Sequence, residues 1–267
     1  MDAVFFRTGV PKRPHTIWRK RMFKRIRQTA LLAALAAAVA LPASAGVPEG
    51  VALLNKQDYK AAMKEFEAEA AKDNSEAMYY IGEIFHRGLG MNPQRLTGIH
   101  WWEKAAYLGN ERAMLALSEV FNKGLGVKAE PRQAYVWDLT AARQGNPLAQ
   151  YNVGTYWLYG TSVPKDLTEA AKWFRRSALQ GNPAALDALA RQLNMGDGVE
   201  RDVFAAYVLF EAASKPSDKF DSVYTAAESA KVIRSHMNAD DLKYAQSLSA
   251  DKILKELEGL EKHEPQY

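Results

Sequence analysis

Four histidines, His86, His100, His236 and His263, follow position 46, and no two stand three or four residues apart beside a carboxylate helper. That spacing is how one helix face offers two imidazoles to a metal ion. No zinc or calcium ligand pattern is present either, so no metal, no cofactor and no catalytic residue is expected. Gly88-Leu89-Gly90 and Gly124-Leu125-Gly126 read as helix stops rather than loops cradling phosphate. The chain has no cysteine, which excludes a disulfide framework and a lipid-modified cysteine anchor. One motif remains: Ser249-Ala250-Asp251-Lys252 matches the S-x-x-K of serine nucleophiles that β-lactams acylate. It stands in a charged terminal segment without S-D-N or K-T-G companions, and is expected to be inert.

The tryptophans are better organised. Trp101, Trp137 and Trp173 recur every 36 residues, with Leu209 at the next step. Indoles in a row can stack on sugars, but other columns share the period, so core packing is the first reading. Residues 75–110, 111–146, 147–182 and 183–218 form four gapless blocks. Their columns include Ala77, Ala113, Ala149 and Ala185, and also Gly88, Gly124, Gly160 and Gly196. The first three blocks close on Gly-Asn, at 109–110, 145–146 and 181–182. A period in this range means units that bury apolar faces only against neighbouring units.

Each block reads as two helices. Ala77, Ile81 and Phe85, with their counterparts in later blocks, fall four apart and make one stripe on a first helix. The column Gly82, Ser118, Gly154 and Ala190 is uniformly small, which predicts a close approach by a partner helix. The glycine column 88/124/160/196 should end that helix in a left-handed turn. Asp166 and Asp202 should cap the second helix, with Gln94 and Glu130 as weaker substitutes.

Before the blocks, nine Lys and Arg and one acid precede an apolar run at 30–41 and the site Ala43-Ser44-Ala45. This is the pattern of a secretory signal peptide, expected to be cleaved after Ala45. The run falls short of the roughly 20 residues of a membrane span. Met22 stands where such a signal ordinarily begins. Removing nine bases and one acid from 35 and 31 leaves 26 against 30, a formal charge of −4. The basic balance therefore belongs to the leader, and no basic face invites nucleic acid. A periplasmic or secreted protein is expected, touching membrane only through the signal segment. Oligomeric state is not legible.

The pattern A-x-x-x-[LIV]-[GSA]-x-x-[FW]-x-x-G-x-G, an acid, then A-x-x-W-[WF]-x-x-A-A-x-x-G-N resembles the Sel-one-like repeat, a relative of the tetratricopeptide repeat. The resemblance covers 75–218, and residues 53–74 extend it upstream through Asp58, Ala62, Phe66 and Ala70. It implies an all-α fold, a right-handed α-solenoid of helix-turn-helix repeats that binds partners on its concave side, without chemistry of its own. The expected organisation is a signal peptide (1–45), a degenerate first repeat (46–74), four repeats (75–218) and C-terminal capping helices (219–267).

Departures from the repeat carry the rest. Asp138 interrupts the aromatic column Phe66, Trp102, Phe174 and Phe210. A lone buried carboxylate is costly, so the stack is expected to open there, or Tyr135 to cover the gap. Ser162 replaces the second glycine of the block-three loop. By the resemblance, the unburied face of the first helices lines the groove. The candidate partner-binding residues there are Tyr79, Glu83, Arg87, Leu115, Lys123, Leu148, Tyr151, Leu158, Tyr159 and Arg191, with an aromatic and aliphatic patch in block three. Intramolecular cover by the C-terminal helices and dimerisation are the competing uses of that patch. The expected function is a scaffold at the cell envelope for a protein or peptide partner. The alternatives are a cell-wall or β-lactam hydrolase and a glycan-binding module.

Overall fold

The computed structural model describes residues 46–216, 220–221 and 223–262; the expected signal peptide and His263 lie outside the described residues. Among these residues there are thirteen α-helices and no strand. They are α1 (Val47–Asn55), α2 (Tyr59–Ala70), α3 (Ser75–Arg87), α4 (Arg95–Tyr107), α5 (Glu111–Lys123), α6 (Pro131–Arg143) and α7 (Pro147–Tyr159). Then follow α8 (Leu167–Ala178), α9 (Pro183–Met195), α10 (Val203–Ala213), α11 (Tyr224–Arg234), α12 (Ala239–Ser247) and α13 (Ala250–Glu256). A 3-10 turn, Leu257–Lys262, ends the series. Each helix packs chiefly on its neighbours in the chain, giving an α-solenoid.

The helix ends follow the sequence. Gly88, Gly124, Gly160 and Gly196 close α3, α5, α7 and α9 in the left-handed conformation at φ 70–79°. Asp58, Asp166 and Asp202 cap α2, α8 and α10, whereas Gln94 and Glu130 make no side-chain cap. The Gly-Asn pairs have a purpose that the periodicity alone did not disclose. Asn74, Asn110, Asn146 and Asn182 each cap the first helix of the block that follows, accepting from backbone N–H groups through Oδ1. Two of them also reach back: Asn146 Nδ2 donates to Glu111 at 2.8 Å and Asn182 Nδ2 to the Pro147 carbonyl at 3.3 Å. These asparagines start one repeat and tie it to the one before.

Close packing explains the small column. A Cβ on Gly82 would lie 2.4 Å from the Trp102 ring, and one on Gly154 2.5 Å from Phe174. Each of these glycines thus receives the aromatic that stands 20 positions later. Trp102 and Phe174 are buried in these pairings, and Phe210 is buried too, while Trp101 is only half-buried, with Lys104 over its ring at 4.3 Å. The core falls into two clusters. One runs from α1 to α7 and includes Trp173; the other takes α8 to α13, and Trp157 packs against both.

The C-terminal helices fold back on the second-helix side of the stack, against α8 and α10. Arg175 donates from Nε to the Leu254 carbonyl, and both residues are buried. Ser249 is the N-cap of α13, accepting from the Lys252 backbone N–H at 3.2 Å, while the Lys252 ammonium pairs with Glu256. The S-x-x-K match is a helix start.

Candidate functional site

The first helices of blocks one to three, α3, α5 and α7, present their free faces to a groove of about 980 Å³. Spacings of three and four residues bring Tyr79, Glu83, His86 and Arg87 to its wall from α3, and α5 supplies Arg112, Leu115, Glu119 and Lys123. From α7 come Leu148, Asn152, Thr155 and Tyr156, and Asp138 rises from α6 beneath them. His86 lies against the Trp102 ring at 4.7 Å, with Nε2 3.2 Å from the Leu125 carbonyl oxygen. Its neighbours are thus packing partners, and no cluster of metal-binding side chains occurs among the described residues. Trp102 Nε1 donates to the Tyr79 carbonyl at 3.1 Å, which fixes the wall to the core behind it.

The stack does not open at Asp138. Its side chain is 1 % exposed, and it is not alone. Oδ2 accepts from Ser118 Oγ at 2.5 Å and from the Tyr156 hydroxyl at 3.3 Å; Oδ1 accepts from Asn152 Nδ2 at 3.1 Å. Tyr135 packs edge-on against Tyr156 rather than plugging a gap. Loss of water raises the Asp138 pKa above the ordinary value of 3.8, and the three hydrogen bonds pull against that rise. Burial, reinforced by the Asp138 charge, pushes the Tyr156 hydroxyl up to about 12. Block two has therefore exchanged the glycine–aromatic pair for a hydrogen-bonded Ser118–Asp138 pair at the same two positions. The sequence carried half of that signal: Asp138 was visible as a departure, whereas Ser118 passed as an ordinary member of the small column. Asn152, Tyr156 and Trp102 left no such trace, because each is unremarkable in its own column.

Of the ten candidate residues, Tyr79, Glu83, Arg87, Leu115, Lys123 and Leu148 line the groove together. Tyr151, Leu158, Tyr159 and Arg191 do not. Tyr151 is half-buried with its ring 5.7 Å from Phe174, and Leu158 packs on the second core cluster, so these two point into a seam and not away from it. Tyr159 projects outward, 72 % exposed. Arg191 is bonded to Asp187 on its own helix and to Thr225 of α11. Of the charges at the groove's edge, Arg87 is matched to Glu83 at 3.2 Å and Lys123 to Glu119 at 2.7 Å.

The fold has counterparts. The chain is similar to the crystal structure of a Sel1 repeat protein from Oxalobacter formigenes, at 24% identity over 74% of this chain and 88% of that one, with a TM-score of 0.61. It is also similar to a protective antigen of uropathogenic Escherichia coli strains displaying an SLR fold, at 25% identity over 79% of this chain and 54% of that one, with a TM-score of 0.47. The chain matches no curated protein. The Sel1 repeat profile matches residues 75–110, 111–146, 147–182 and 183–215, more than half of the sequence, and the chain belongs to the Sel1 repeat family.

Proposed function

We propose that this protein is an exported scaffold that receives an extended segment of a partner protein in the groove of α3, α5 and α7. Sel1 repeats are generally non-catalytic scaffolds that mediate protein–protein interactions. The observation that carries the reading is the groove itself: Tyr79, Leu115 and Leu148 offer apolar surface within a rim of paired charges. A partly apolar floor with a polar rim is the usual anatomy of a protein recognition site. The basic leader, the apolar run at 30–41 and Ala43-Ser44-Ala45 support export, and with it a partner in the periplasm.

A photo-crosslinking amino acid tests this in living cells. Placed at Leu148, which is exposed in the groove, it is expected to give a discrete adduct in the periplasmic fraction. Placed at Val136, exposed on α6 and outside the groove lining, it is expected to give none. Equal adducts at both positions, or an adduct at Val136 alone, overturn the groove reading. Protein retaining residues 30–41 in the membrane fraction overturns the export reading.

A further inference from the structure

The floor of the groove holds one negative charge that no described cation of the chain answers. Asp138 accepts from Ser118, Asn152 and Tyr156, all of them neutral donors. The other charged groups lining the groove are matched. Glu83 has Arg87, Glu119 has Lys123, and Arg112 reaches the Tyr80 hydroxyl at 2.9 Å and Glu76 at 3.9 Å. Three neutral donors hold a buried carboxylate in place without cancelling its charge.

The same network orients a second acceptor. A carboxylate can only accept hydrogen bonds, so the Asn152 amide must turn its nitrogen toward Asp138, and its Oδ1 faces the other way. Asn152 is half-buried and lines the groove, which makes that oxygen the accessible end of the Asp138 network. Donating to an anion polarises the amide and makes its oxygen a stronger acceptor. Further along the same groove the wall already receives a cation: Arg112 lies over the Tyr79 ring at 4.3 Å.

We propose that the groove selects its partner by a lysine or arginine side chain whose cationic head sits on Asn152 Oδ1 with Asp138 behind it. A backbone N–H would satisfy the oxygen and leave the charge unanswered; an acidic side chain would be repelled. The inference rests on the groove reading above and adds the chemistry of the occupant.

A random-peptide library displayed on phage, selected on the full chain, tests it. The expected result is enrichment of peptides sharing a Lys or Arg at one position, which Leu148→Asp in the groove alters. Replacing that base by norleucine should weaken binding about tenfold in wild type, the loss of one charge-assisted hydrogen bond. In Asp138→Asn the same replacement should make little difference. Asn152→Ala leaves Asp138 with Ser118 and Tyr156, and carries the test should Asp138→Asn fail to fold. Peptides that depend on Leu148 but share no basic position leave the groove reading standing and overturn this inference. No enrichment at all, or peptides indifferent to Leu148→Asp, overturns both.

Discussion

A carboxylate in the core is tolerated here because every hydrogen bond it receives comes from a residue placed for it, yet the charge still costs stability. Desolvation raises the Asp138 pKa, so the folded state holds that proton more tightly than the unfolded chain does. The sign follows: the contribution of this group is complete below about 3.8 and is lost as pH rises through the folded value. Wild type should therefore gain stability relative to Asp138→Asn as pH falls from neutral toward that range, measured as the difference between their urea midpoints. A wild-type midpoint that falls relative to that of Asp138→Asn on acidification would refute the assignment. Ser162 carries backbone strain. It holds φ 76°, where its counterparts are Gly90, Gly126 and Gly198, and its buried hydroxyl has no partner. Ser162→Gly should stabilise the protein by about 1 kcal/mol, because the left-handed conformation penalises a Cβ. Equal denaturant midpoints for the two proteins would show that the loop has relaxed. Both residues were visible in the sequence as departures from a column. The partners of Asp138 were not, since a column shows which position is unusual and is silent about what surrounds it.

Between elements, the pairing of positions 20 apart is the rule that builds a repeat. Where Gly82 and Gly154 admit an aromatic ring, Ser118 and Asp138 exchange a hydrogen bond. Asp138→Phe alone would drive a ring onto the Ser118 hydroxyl, and Ser118→Gly alone would strip the carboxylate of a donor. The double variant restores the pairing of the flanking blocks, so the cycle should show a favourable coupling of about 1–3 kcal/mol. Simple additivity of the two denaturation changes would mean that the positions do not act as a pair. The asparagine caps allow a second test. As N-caps alone, Asn and Asp are nearly equivalent. Asn146 also donates to Glu111, and an aspartate there would set two carboxylates together. Asn146→Asp should thus cost about 1 kcal/mol despite keeping the cap, and Asn146→Ala about 1–2 kcal/mol. An Asp variant as stable as wild type would remove the backward tie. Helix starts and stops were legible because capping chemistry is local. The backward tie was not, because it joins residues 35 apart whose contact depends on how the blocks stack.

At the scale of the whole molecule, four repeats were readable from their period, and the C-terminal packing was not. Lys172 and Arg175 look like an exposed charged face, yet both are buried, and Arg175 meets the Leu254 carbonyl. Nothing periodic announces such a contact. The two core clusters predict where damage spreads. Leu254→Ala should cost about 2–5 kcal/mol, and hydrogen exchange should quicken in α8 to α13 while α3 to α6 keep their protection. Uniform loss along the chain would mean that the clusters are one cooperative unit. The asparagine ties also give the stack a direction in time. The chain is delivered N-terminus first, so when Asn146 and Asn182 arrive at the folding compartment their acceptors on Glu111 and Pro147 can already stand on finished helices. Each newcomer is docked by its predecessor, as a course of bricks is keyed to the one below. Purified chains truncated after residue 182 should accordingly resist protease over 75–146, whereas the C-terminal half synthesised alone should be digested.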